Sequence, residues 1–182
     1  MKYRHALLAV AGASLLAAVT TTSPSLALPS VGDARPQVTL VDAWDRTLQI
    51  GAAANKPILV VYEDSSSAKQ NQALKDELAK LAKSGKYKEA ITLVAVADLA
   101  GYDYWPVKGF VKDAIRDESR KFGTTIFCDW NGAARAKIGL KRGVSNVILY
   151  GRDGKVLFAH EGAMPAEKRR QLIALLREQV GE

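Results

Sequence analysis

The residues able to do chemistry in this 182-residue chain are few. It has one cysteine, Cys128, and two histidines, His5 at the extreme N-terminus and His160. A single thiol cannot complete a dithiol–disulfide cycle within its own polypeptide. Cys128 stands between Phe127 and Asp129 at the end of a short apolar run, where a lone cysteine reads as a small buried hydrophobe. The adjacent Asp129 carboxylate is expected to raise its pKa and oppose thiolate formation. The functional alternative for Cys128 is a mixed disulfide or pairing with another chain. His160 has no partner at metal-ligand spacing, so neither zinc nor copper is implied. No Walker-type loop and no GxGxxG occurs, and no cofactor is implied.

Ser67-Ala-Lys-Gln70 precedes an apolar-periodic segment. Ser-x-x-Gln there reads as a capping box, the serine serving an orphan N–H and the glutamine reaching back. The same place could bind a carboxylate, a phosphate or a backbone carbonyl at a positive helix end. Ser67 as a nucleophile would need a general base, and nothing in the sequence supplies one beside it. Two surface features stand apart. Tyr102, Tyr104 and Trp105 precede Pro106 and either cover a helix end or offer a partner surface. Arg135, Lys137, Lys141 and Arg142 form a basic cluster that is either a solvated face or a site for an acidic partner.

The opening of the chain decides its expected compartment. Lys2 and Arg4 precede an apolar run from Ala6 to Val19, followed by small residues at Ser25 and Ala27. That pattern matches a secretory signal peptide cleaved after Ala27, and the run is shorter than the roughly 20 residues of a spanning helix. The expected organisation is a signal over 1–27, a flexible lead-in over 28–37 and one domain over 38–182. Cleavage removes two basic residues and no acid, reducing the net charge from +7 to +5. Export, and the lack of a helix–turn–helix pattern, exclude a nucleic-acid partner. With one cysteine, the domain must be held by its apolar core.

The elements follow from periodicity. Val38–Val41 reads as an outer strand and Asp42–Thr47 as a turn. Pro57–Tyr62 is a continuous apolar run, the pattern of a strand buried on both faces. Leu74, Leu78, Leu81 and Ala82 recur at helical spacing, with Gly85 as the stop. Ala90–Ala97 is a second buried strand. Pro106 opens a helix with Val107, Phe110, Val111, Ala114 and Ile115 on its apolar face, ending at Gly123. Thr124–Cys128 is a short strand, then Asp129–Gly132 a turn. Asn146–Tyr150 and Lys155–Ala159 form a hairpin through Gly151-Arg-Asp-Gly154, and Pro165 opens a last helix containing Leu172, Ile173 and Leu176. Strands alternating with helices predict an α/β fold: a mixed central sheet flanked by helices, closed by a C-terminal hairpin and helix.

That order resembles a thioredoxin-like fold of the exported redoxin kind, on Lys56-Pro-Ile-Leu-Val-Val-Tyr62 and on Gly143-Val-Ser-Asn-Val-Ile-Leu-Tyr-Gly-Arg-Asp-Gly154. The second half resembles the YtfJ family of small periplasmic proteins, from Phe110-Val111 through Asp129-x-x-Gly132 and Asp153-Gly154-Lys-Val156 to Gly162-Ala163. The resemblance implies that Ser67 and Gln70 occupy the two cysteine positions of Cys-x-x-Cys, and that Ser145 occupies the place of a cis-proline facing them. The leading expectation is an exported, redox-inactive thioredoxin-like protein. It would bind an unknown protein or a small anionic ligand through the loop Glu63 to Ser67, Gln70 and Ser145. Two alternatives accompany it: a one-cysteine thiol oxidoreductase or peroxidase using Cys128 with an external thiol, and a peripheral envelope protein with an anionic partner.

Overall fold

Alternate residues of Ile58–Glu63 (β3) enter different packing layers, which makes this strand the spine of the molecule. Ile58, Val60 and Tyr62 join one core cluster, and Leu59 and Val61 join another. A run with no polar alternation can be satisfied only in this way. The structure, a computed structural model, describes residues 27–51 and 56–182. The signal-like opening lies outside the described residues, except for Ala27.

The other strands are Val38–Asp42 (β1), Thr47–Ile50 (β2), Thr92–Asp98 (β4), Ile126–Asp129 (β5), Asn146–Tyr150 (β6) and Val156–Glu161 (β7). Among the described residues they form one sheet in the order β2-β1-β5-β4-β3-β6-β7. β3, β4 and β5 are mutually parallel, with Val60 opposite Val94 and Ala97 opposite Cys128. β6 runs antiparallel to β3, and β7 antiparallel to β6. The expected mixed sheet with a closing hairpin is therefore present.

The helices are Gln72–Ala82 (α1), Lys86–Ala90 (α2), Val107–Phe122 (α3), Ala133–Ile138 (α4) and Ala166–Val180 (α5). Leu74, Tyr87, Leu172 and Leu176 bring α1, α2 and α5 onto the Leu59–Val61 face. Val111 and Ile115 of α3 pack over Ala97 and Cys128, on that same face by strand parity. Ala134 and Ile138 place α4 on the opposite face. The α3 helix stops at Gly123, whose left-handed backbone lets Thr124 N–H reach Ser119 O at 3.1 Å.

Several expectations are corrected. Val38–Val41 is not an outer strand: Asp42 accepts from the N–H groups of Trp44 and Arg46 and from the Arg46 guanidinium, turning the chain so that β2 takes the edge. Gly85 does not end the first helix but precedes the short α2. Phe110 is not on the buried face of α3 and is 72% exposed. The lead-in is bonded rather than free. Gly32 N–H donates to Val156 O, Val156 N–H to Asp33 O and Arg35 N–H to Gly154 O, while Leu28 packs against the core.

Leu172 tests the layer that α5 contributes. It is wholly buried between α5 and the sheet, so Leu172→Ala should cost about 2–5 kcal/mol. The reading is a lower urea midpoint at unchanged denaturant slope. A loss below about 0.5 kcal/mol, typical of a surface site, would show that α5 is not part of the core.

Candidate functional site

Beyond Glu63 the chain enters turns before α1, and Asp64 organises them. Its Oδ1 accepts from Ser66 N–H (3.0 Å), Ser66 Oγ (2.6 Å), Ser67 N–H (2.9 Å) and Ser67 Oγ (2.9 Å). Its Oδ2 accepts from Gly143 N–H at 2.8 Å. Burial alone would raise this carboxyl, but the Ser66 and Ser67 hydroxyls and the N–H groups of Ser67 and Gly143 hold it down at about 2. Gly143 reaches Asp64 with φ of 78°, where a side chain would be strained.

This arrangement overturns the capping-box reading. The α1 helix starts at Gln72, with Asn71 at its cap position and no side-chain cap bond. Ser67 is wholly buried, bonds back to Asp64 and accepts from Asp64 N–H. The aspartate is the stronger acceptor and draws the local donors to itself. Gln70 reaches across to the loop before β6, accepting from Ser145 N–H at 3.0 Å and donating to Gly143 O at 3.4 Å. Ser145 is also wholly buried, its Oγ donating to Glu63 Oε1 at 2.7 Å. The other Glu63 oxygen meets Lys75 Nζ at 2.5 Å. A proline at 145 would lack the N–H that Gln70 captures. Ser67, Gln70 and Ser145 are thus brought together as expected, yet only Gln70 is exposed. A ligand cannot touch the two serines.

The accessible space lies beside them. A cleft of about 430 Å³ opens between Asp64, Ser65 and Ser66 on one side, Asp98 and Tyr102 on another, and Arg142 with Gly143 on the third. It sits at the carboxyl ends of β3 and β4, the edge at which open α/β sheets take ligands. Asp98, on its wall, belongs to a buried polar chain. Asp98 pairs with the Arg135 guanidinium and accepts from Ala100 N–H at 3.0 Å. Asp129 accepts from Tyr62 Oη at 2.9 Å and from Arg135 N–H at 3.0 Å. Burial first, then Asp129, push the Tyr62 phenol far above its ordinary value, so it stays a donor. Asp64 lies within the loop expected from sequence to form the binding edge, whereas Asp98 and Tyr62 were not found by sequence reasoning. The available signal was a carboxylate closing each apolar strand run, at Glu63, Asp98 and Asp129.

The basic cluster does not form one patch. Arg135 turns inward to Asp98, Lys141 pairs with Glu161 at 3.0 Å, and Arg142 donates to Ala100 O at 2.8 Å. Tyr102 borders the cleft, and Tyr104 and Trp105 are exposed, Trp105 at 91%.

Cys128 is elsewhere, in β5 under α3, and is 4% exposed. Burial first, then the Asp42 carboxylate, push its thiol up to about 11. The direction is as expected from sequence, but the charge responsible is Asp42. Asp129 bonds instead to Tyr62 and Arg135, as strand alternation requires. His160 stands on β7 with Nε2 3.3 Å from Ala163 O.

Residues 48–179 match the family described as "Bacterial protein of unknown function (YtfJ_HI0045)". The chain belongs to this YtfJ family. No curated protein matches it. Among solved structures it is similar to a peroxiredoxin-like protein from Aquifex aeolicus, at 13% identity and TM-score 0.60, covering 84% of this chain and 89% of that one. A thiol peroxidase from Chromobacterium violaceum gives 14% identity and TM-score 0.59, covering 84% and 88%. A secreted disulfide oxidoreductase from Mycobacterium tuberculosis gives 17% and 0.53, covering 78% and 96%. At these identities the likeness shows a thioredoxin-like fold and nothing finer. The YtfJ member described here has that fold.

Asp64 gives the site a pH signature. Its folded pKa of about 2 lies below the ordinary 3.8. Its stabilising contribution is therefore complete above 3.8 and lost as pH falls through 3.8 toward about 2. The gap in unfolding free energy between wild type and Asp64→Asn should narrow over that interval. A gap that stays constant there would show that the carboxylate is not held by these donors.

Proposed function

We propose that this YtfJ protein is an exported, redox-inactive thioredoxin-like binding protein of the cell envelope, whose ligand enters the cleft between Asp64, Asp98 and Arg142. One observation carries the reading: where the redoxin motif would place its first thiol stands Ser67, sealed from solvent and bonded to Asp64. The only thiol of the chain, Cys128, is buried in another part of the sheet with a high pKa, a poor start for one-cysteine oxidoreductase or peroxidase chemistry. The proposed compartment rests on the basic start, the apolar run and the small residues ending at Ala27. Among the described residues no helix is long and apolar enough to cross a membrane. The dispersal of the basic cluster weighs against a purely electrostatic envelope partner.

Thiol titration tests the chemical part of this reading. With a pKa of about 11, Cys128 would be about one part in a thousand thiolate at pH 8. Maleimide should label it at least about 100-fold more slowly than free cysteine, and the protein should not accelerate insulin reduction by dithiothreitol. Labelling at the rate of free cysteine, or accelerated reduction that Cys128→Ala abolishes, would overturn redox inactivity. Intact-mass analysis tests the compartment. Protein recovered from the exported fraction should begin at Leu28, whereas unprocessed chain confined to the cytoplasm removes the export claim.

A further inference from the structure

The chemistry lining the cleft specifies more than its place. Two carboxylates reach it, Asp64 and Asp98, and two guanidiniums stand against them, Arg135 behind Asp98 and Arg142 at the opening. The balance is neutral. Asp98 is paired with Arg135, which leaves one carboxylate, Asp64, facing one guanidinium, Arg142, so a strongly anionic ligand would meet Asp64 and a strongly cationic one would meet Arg142. The opening nonetheless mixes donors and acceptors: the exposed hydroxyls of Ser65 and Ser66, the Asp64 carboxylate, and an Arg142 side chain with more donors than the one used by Ala100 O.

The neighbouring surface is aromatic. Tyr102 lines the cleft itself, and Tyr104, Trp105 and Phe110 continue from it along the loop and into α3. Trp105 and Phe110 are 91% and 72% exposed, which leaves their rings open to a ligand face. Flat aromatic faces beside a charge-neutral, hydroxyl- and carboxylate-lined cleft match one kind of molecule. A neutral sugar ring carries hydroxyls that each donate and accept, and it presents apolar C–H faces that lie on aromatic rings. The volume of about 430 Å³ falls in the range of roughly 300–1,000 Å³ for small-ligand sites.

We propose that this cleft and its aromatic margin form a binding site for a neutral saccharide chain, one ring held among Asp64, Ser66 and Arg142 and the next lying over Tyr102 and Trp105. The proposal rests on the cleft being the binding site and adds the class of ligand.

The test is an amide NMR titration of the protein with neutral oligosaccharides of glucose, mannose and N-acetylglucosamine, beside inorganic phosphate and an uncharged Gly-Ser peptide. Saturable shifts at Ser65, Ser66, Ala100, Tyr102 and Gly143 with at least one saccharide are expected, with quenching of Trp105 fluorescence. Tyr102→Ala and Trp105→Ala, both at exposed positions, should each weaken that binding about five-fold without moving the thermal midpoint. If phosphate or the peptide shifts these amides and no saccharide does, the cleft is the binding site and the saccharide proposal is overturned. If saccharides bind but shift only amides outside the cleft, this site assignment is overturned. If no probe shifts the cleft amides, the saccharide proposal is likewise overturned, and the binding reading loses its site.

Discussion

Carboxylates that end parallel strands must find donors, and the cleft edge of this protein is arranged around that requirement. Glu63, Asp98 and Asp129 close β3, β4 and β5 at the same edge of the sheet, and Asp64 follows one residue on. Asp98 and Asp129 are almost sealed from water, where an unpaired charge would be costly. Arg135 answers both, its guanidinium to Asp98 and its N–H to Asp129. That double contact fixes the start of α4 over the end of β5. Tyr62 supplies the remaining donor to Asp129 from β3. Three strands and one helix are thereby tied by a single chain of polar contacts that meets the cleft at Asp98.

The loops around the cleft follow the same rule. Asp64 gathers the 64–67 turn and pins Gly143, while Gln70 and Glu63 take the N–H and hydroxyl of Ser145. Asn71 extends the connection, donating to Gly162 O at 3.0 Å and accepting from Met164 N–H at 2.8 Å. Segments from either end of the domain are thus joined side chain to backbone. Such links cost little when complete and much when one partner is removed, which favours a preformed opening over one assembled on binding.

How much of this was legible in the sequence depended on the kind of signal. The apolar run 57–62, the helical spacing of Leu74, Leu78 and Leu81, and the Gly151–Gly154 hairpin are local patterns whose period dictates the element, and each appears where expected. The turn over 42–47 was legible, but the four-residue strand Thr47–Ile50 that follows it was not, so β1 read as the outer strand. Phe110 has helical spacing that suits the core, but α3 packs on Val111 and Ile115 and leaves it in solvent. The convergence of Ser67, Gln70 and Ser145 followed from the fold resemblance. Their burial did not, since it depends on which acceptor wins among Asp64, Glu63 and the helix end, a contest decided only in three dimensions.

That contest bears on why the thiol site is not simply one substitution away. A reactive cysteine needs its thiolate favoured, most often by a helix N-terminus or a nearby cation. Here α1 begins only at Gln72, so position 67 lies ahead of the helix end, beyond the turn over which the dipole acts. The nearest charge is the Asp64 carboxylate, 2.9 Å from Ser67 Oγ. A sulfur at 67 would therefore be buried against an anion, and both burial and charge would raise its pKa. Serine suits the place because a hydroxyl can donate to the carboxylate and accept from Asp64 N–H at once. At the position that the resemblance assigns to the first cysteine, the Asp64 charge thus suits a hydroxyl better than a thiolate.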